Sequence, residues 1–190
     1  MYYHPYMYVH PYYVNQPMFN YNRQEGYWTY PEASVTKKNY DLEALNEGAR
    51  ILLKDYGKQP YVVNIEEAAE QNKTFRTALW TGEHLQVTLM SIDVGEDVGL
   101  EVHPTRDQFL RIEEGQGVVK MGNTESNLTF QRNVEEDDAI MVPAGTWHNL
   151  FNTGNKPLKL YSIYAPPEHP SGTVHVTKVE SMAAERKHGH

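Results

Sequence analysis

The sequence contains no cysteine among its 190 residues. A disulfide framework, a thiol nucleophile, a Cys-type zinc finger and an iron–sulfur cluster are therefore excluded. Basic side chains are also scarce. There are 17 Lys and Arg against 25 Asp and Glu, for a formal charge of -8, and no long basic run offsets it. Nucleic acid and anionic membrane both need a basic footprint, so neither is the expected partner. No apolar stretch approaches the roughly 18–20 residues of a membrane span. The N-terminus lacks the basic segment and apolar core of a secretory signal. These absences together predict a soluble, cytoplasmic protein.

Charge is nearly missing from residues 1–31, where Arg23 and Glu25 stand alone. Tyrosine takes its place. Nine of the 14 tyrosines fall there, at positions 2, 3, 6, 8, 12, 13, 21, 27 and 30, and His-Pro-Tyr occurs at His4 and again at His10. Prolines at 5, 11 and 17 oppose helix, because each removes a donor and constrains its predecessor. Residues 1–31 read as an extended, disordered arm. In composition alone such ends resemble those of bacterial spore-coat proteins. That likeness implies an alternative location and an anchoring role.

The next zone, 32–73, reads as helical. Leu42, Leu45, Ala49, Leu52, Leu53 and Tyr56 share one apolar face and predict a helix over 39–57, with Gly57 as its stop. A shorter helix opens at Asn64, whose side chain can cap the backbone at Glu67, and runs to about Gln71. From 74 to 178 the periodicity changes to two. Leu85, Val87 and Leu89 alternate with Gln86, Thr88 and Met90, and Gln108, Leu110 and Ile112 alternate with Phe109 and Arg111. Turn signals at Gly82, Gly95, Gly115, Gly122 and Gly154 break these runs into the short strands of an all-β sandwich or barrel. The closing stretch, 179–190, reads as a frayed polar tail.

Four polar residues in two segments suggest the chemistry. The first segment is Gly95-x5-Glu101-x-His103-x4-Gln108-x6-Gly115. The second is Asp137-x5-Pro143-x-Gly145-x2-His148-x3-Asn152. Glu101 and His103 lie two apart on an extended segment, so they share a face. Pro143 and Gly145 form a turn that can present His148 from another hairpin. Polar groups pointing into a small barrel need a partner, and a divalent metal satisfies carboxylate, imidazole and amide oxygen together.

The two segments resemble the paired motifs of the cupins. Gly95, His103, Gly115, Pro143, Gly145, His148 and Asn152 match. Glu101 stands where the family has its first His, Gln108 where it has Glu, and Asp137 where it has the opening Gly. The resemblance covers about 74–178. It implies a double-stranded β-helix, a jelly-roll barrel, with Glu101, His103, Gln108 and His148 holding zinc, manganese or iron. The ligand types are similar to those of the cupin phosphomannose isomerases, with Glu and Gln exchanged. It also implies a small-molecule ligand and a homodimer. An enzyme of this kind would be a metal-dependent isomerase, with Glu101 or a metal-bound hydroxide as base, or a dioxygenase. The alternative is a non-catalytic binding protein anchored by its arm. Arg106, Arg111, Lys120 and Lys159 are candidate cations for an anionic ligand, with Arg111 outward. Trp147 should face away from His148. Of Tyr161 and Tyr164 at most one faces the pocket. His169 and His175 lie in the Pro-rich exit after the last long strand, which reads as an ordinary surface loop, with a lid folded over the barrel mouth as the alternative.

Overall fold

The computed structural model describes residues 50–188. The Tyr-rich arm and residues 39–49 of the expected long helix lie outside them. In chain order the elements are α1 (Ile65–Gln71), β1 (Arg76–Thr81), β2 (Gln86–Ile92), β3 (Asp107–Glu114), β4 (Gln116–Gly122), β5 (Phe130–Glu135), β6 (Ala139–Val142), β7 (Trp147–Asn152), β8 (Leu158–Ala165), β9 (Val174–His175) and α2 (Lys178–His188). The strands form two antiparallel sheets, ordered β6-β3-β8-β2-β1-β9 and β5-β4-β7. This is the all-β architecture that the alternating pattern predicts, and the jelly roll that the resemblance implies. Among the described residues no helix is long and apolar enough to cross a membrane.

Cross-strand register sorts the inner face of the larger sheet into rows. Gln86, Tyr164 and Gln108 lie side by side, then Thr88, Ser162 and Leu110, then Met90, Leu160 and Ile112. Residues opposite one another share a face. One end of the barrel is thus lined with hydroxyls and amides, and the other is packed with aliphatic side chains. Ile92, Val119, Leu150 and Leu158 complete that apolar floor. Each fully buried aliphatic side chain there contributes about 1.5–3 kcal/mol.

The outer face of the larger sheet is covered by α1 and the chain leading to it. Asn64 caps α1 as predicted, its side chain accepting from Glu67 N at 3.3 Å. Ala68 and Ala69 then pack on Leu79 and Leu89. The helix expected over 39–57 is absent from its described part, 50–57, which is extended and turned. Ile51 and Leu53 pack on the sheet while Leu52, between them, is 64% exposed. The apolar spacing serves a period-two contact with a flat surface rather than a helical stripe. The expected polar tail is also corrected. Residues 178–188 form α2, and Ser181 is buried because its hydroxyl and the Glu185 carboxylate, one turn apart, both accept from Arg76 Nη1.

One carboxylate fastens these pieces together. Asp55 accepts from Gly57 N, Thr81 N and Oγ1, Ser171 Oγ and Gly172 N, at 2.7–3.0 Å. Burial pushes its proton affinity up, but the hydrogen bonds from Thr81, Gly172, Gly57 and Ser171 outweigh that and hold it below the usual carboxylate range. With the folded-state pKa depressed, the stabilisation is present above the unfolded value of about 3.9 and is lost as pH falls through the folded value. Asp55→Asn should lower the melting temperature at pH 7 by roughly 4 °C or more and flatten its decline below about pH 4. Thermal melts followed by circular dichroism from pH 7 to pH 2 check both effects.

Candidate metal centre

Residues 96–103 run antiparallel to β7 and extend the smaller sheet. Val98 N donates to Leu150 O, and Glu101 and His148 exchange both backbone hydrogen bonds, at 3.0 and 2.9 Å. That pairing sets the Glu101 and His148 side chains next to each other. His103, two residues on, returns to the same face. The Pro143–Thr146 turn is closed by Thr146 N donating to Pro143 O, with Gly145 at φ +77°, the left-handed value this turn requires at its third residue. Gly145 N donates to His103 O at 2.9 Å, so the turn that launches β7 is tied to the segment carrying His103.

The result is a convergence of three donor atoms. Glu101 Oε1 lies 3.4 Å from His103 Nε2 and 3.2 Å from His148 Nε2. All three atoms are buried and none forms a hydrogen bond. The imidazoles are nine-tenths covered or more. A tetrahedral site with ligands about 2.0–2.1 Å from the ion places neighbouring donors about 3.3–3.4 Å apart. The spacing and donor chemistry therefore fit a divalent ion. Burial alone would raise the proton affinity of Glu101, but the two facing imidazoles and Arg76 hold its carboxyl well below the usual range, so the ligand is anionic.

The far sides of both rings are held. His148 Nδ1 lies 3.0 Å from Thr146 O, which fixes its proton on Nδ1 and leaves Nε2 as the acceptor. His103 Nδ1 faces Glu168 Oε2 at 3.4 Å, and Arg106 Nε binds the same oxygen at 2.9 Å. A carboxylate behind a ligating imidazole orients the ring and raises its basicity. Gln108, inward on β3, donates from Nε2 to Ser162 Oγ at 3.0 Å, while its Oε1 is buried without a hydrogen bond.

Comparison with known proteins agrees with this architecture. The Cupin domain family profile matches residues 88–164. The uncharacterized protein YrkC of Bacillus subtilis is 61% identical over 186 residues, 97% of this chain and all of the relative. The chain belongs to the cupins. The uncharacterized protein L612 of Acanthamoeba polyphaga mimivirus is 39% identical over 69% of this chain and 81% of its own length. The crystal structure of BH2720 from Bacillus halodurans superposes with a TM-score of 0.68 at 66% identity, covering 68% of this chain and 98% of that one.

In this cupin the departures from the family motifs have local explanations. Asp137 replaces glycine at a position with φ +72°. Aspartate tolerates that region better than most residues, and the Arg111 guanidinium holds its carboxylate. Asn152 is structural, its amide nitrogen donating to Ile92 O and Lys156 O. Tyr164 is fully buried on the inner face and Tyr161 lies on the other, as their parities require.

The loop after β8 differs from the reading of it as an ordinary surface loop. Gln86 Nε2 donates to His169 O and Gln86 Oε1 accepts from His169 N, at 2.8 and 2.9 Å. These bonds draw Glu168 and His169 into the mouth of the barrel. Of the expected cations, Arg106 holds Glu168 and Lys159 is spent on Asn72 O and Ser91 Oγ. Lys120 lies over the Phe151 ring and Arg111 points outward to Glu113 and Asp137. Arg76, which is wholly buried, is a further cation that the motif spacing does not single out. Its signal was parity: a charged residue on the first strand, two before the small Ala78 that faces the barrel interior.

His103→Ala and His148→Ala should each abolish most metal binding. Glu168→Gln should weaken affinity about 10–100-fold while leaving the fold intact. Competition with a chromophoric chelator checks all three, and unchanged affinity in Glu168→Gln would remove its orienting role.

Proposed function

We propose that this cupin binds one divalent transition metal through Glu101, His103 and His148, with the Gln108 amide oxygen as fourth ligand, and acts as a metal-dependent enzyme on a small oxygenated metabolite. The observation that carries the reading is the convergence of three buried, unbonded donor atoms at 3.2–3.4 Å. Exposed acidic clusters are common without an ion. Here a carboxylate oxygen and two imidazole nitrogens converge, each buried and without a hydrogen bond, which is the donor set a divalent ion would join. Two His, a carboxylate and an amide oxygen suit zinc, manganese or iron. A divalent ion there would supply Lewis acidity toward a carbonyl or enolate oxygen.

The chain's own residues define the rest of the pocket. Burial pushes the Tyr164 hydroxyl up to about 12, so it stays protonated and is a hydrogen-bond donor. Burial and the nearby Arg76 push His169 down to about 2, so its ring is neutral. Tyr164 meets both His103 and His169 edge to face, at ring separations of 5.4 and 5.3 Å. Leu110 and Leu150 close the floor. A dry floor strengthens every electrostatic interaction above it. Glu101 is best suited to remain a ligand, because a carboxylate whose proton affinity is already depressed is a weak base.

Plasma mass spectrometry on untagged protein tests the proposal. Wild type should carry close to one metal per chain, and His148→Ala should lose it. The identity of the metal selects the assay: zinc directs attention to isomerase chemistry on a carbonyl or sugar-like substrate, iron to dioxygenase chemistry. Wild-type protein that takes up no metal even on reconstitution would overturn the reading.

A further inference from the structure

The proposed centre leaves one buried charge unexplained. Arg76 opens β1 and is wholly buried. Its Nη1 donates to Ser181 Oγ at 2.6 Å and to Glu185 Oε1 at 3.2 Å, and the guanidinium carbon sits 5.6 Å from the Phe75 ring centroid. The two nitrogens of its other edge, Nε and Nη2, are buried and have no hydrogen-bond partner. A guanidinium held this way carries a large desolvation cost that one exposed-side carboxylate offsets only in part. Its free edge presents two parallel N–H groups, the fork that matches the two oxygens of a carboxylate.

The backbone of Arg76 stands opposite Met90, in the aliphatic row of the larger sheet, and its side chain is related to the pocket by the groups around it. Arg76 is paired directly with His175 across the β1–β9 ladder, so both side chains share a face. Tyr164 and Glu101 are within electrostatic reach of the guanidinium. A cavity of about 480 Å³ opens between the loop after β8 and α2, lined by Glu168, His169, Thr173, His175 and Glu185. Its wall is bonded to His103 on one side, through Glu168, and to Arg76 on the other, through Glu185. His169 Nε2 and His175 Nδ1 are further buried ring nitrogens with no hydrogen-bond partner.

We propose that Arg76 is the anion-binding residue of this site and that the ligand is a small molecule bearing one carboxylate, clamped by Nε and Nη2. The proposal rests on the metal reading for its charge count alone. Glu101, Glu168 and Glu185 against Arg76 and Arg106 leave one negative charge. A divalent ion beside neutral imidazoles turns that into one positive charge. A monocarboxylate neutralises the site, whereas a phosphate dianion would leave it negative beside three carboxylates.

Calorimetric titration of the full chain with glycolate, glycolamide and inorganic phosphate tests this, with metal content read separately by mass spectrometry. Glycolate should bind at least about tenfold more tightly than its neutral amide and more tightly than phosphate. Arg76→Gln should erase the preference for glycolate over glycolamide without changing metal content. Equal binding of glycolate and glycolamide to wild type overturns the proposal, as does a preference that survives in folded Arg76→Gln. Tighter phosphate binding overturns the carboxylate assignment. If Arg76→Gln does not fold, the wild-type comparison decides alone. Protein that takes up no metal even on reconstitution yet prefers glycolate defeats the metal reading and the charge count, and keeps the Arg76 clamp. Metal-replete protein with no preference does the reverse.

Discussion

A carboxylate buried between two imidazoles is the constraint around which this barrel is organised. Glu101, His103 and His148 bring three donor atoms together with no hydrogen bond at any of them, an arrangement that a cation would complete. The backbone makes the arrangement unavoidable. Glu101 and His148 are locked as an antiparallel pair, and His103 is tied to the turn that starts β7. Loosening any one of them would slide the ladder, and a slip by one residue would carry a ligand to the solvent face.

The rest of the molecule supplies support in two directions. Below the centre, Met90, Leu110, Ile112, Leu150 and Leu160 exclude water and fix the two sheets against each other. Above it, polar contacts close the mouth. Gln86 holds the backbone of Glu168 and His169, Arg106 holds the Glu168 side chain, and Asp55 holds Ser171 and Gly172. The same loop therefore reaches a metal-ligand candidate through Glu168 and the outer-face segment through Asp55. In this Pro-rich exit, with few apolar residues, backbone groups are satisfied by side chains rather than by strand pairing.

The barrel and its candidate ligands were legible because both depend on local spacing. Two-residue alternation places Glu101 with His103 and separates Tyr161 from Tyr164, and the Pro-x-Gly turn fixes where His148 emerges. Asn64 was legible as a cap for the same reason. What escaped depends on contacts distant in sequence. Glu168 lies 65 positions after His103 in a loop with no periodicity, and nothing local says that Gln86 draws it inward. Arg76 and Ser181 are 105 positions apart. The tail that looked frayed is ordered by a guanidinium at the start of the first strand, and each half of that pairing looks unremarkable alone. The 50–57 segment misled differently, since Ile51, Leu53 and Tyr56 fit a helical stripe as well as they fit a flat sheet.

Glu at position 101 and Gln at position 108 each suit what surrounds them. Position 101 faces two imidazoles and lies within reach of Arg76, so a negative charge there is compensated from three sides. Position 108 sits in the row with Tyr164, whose hydroxyl burial already keeps protonated, and its nitrogen donates to Ser162 Oγ. A carboxylate at 108 could not make that donation and would lie beside a second group resisting negative charge. An amide meets both demands: it donates to Ser162 and leaves its oxygen facing inward. The negative charge therefore sits at position 101, within electrostatic reach of Arg76. Charge complementarity then ties Arg76 to the centre, since Glu101 and Arg76 each favour the other's charged form.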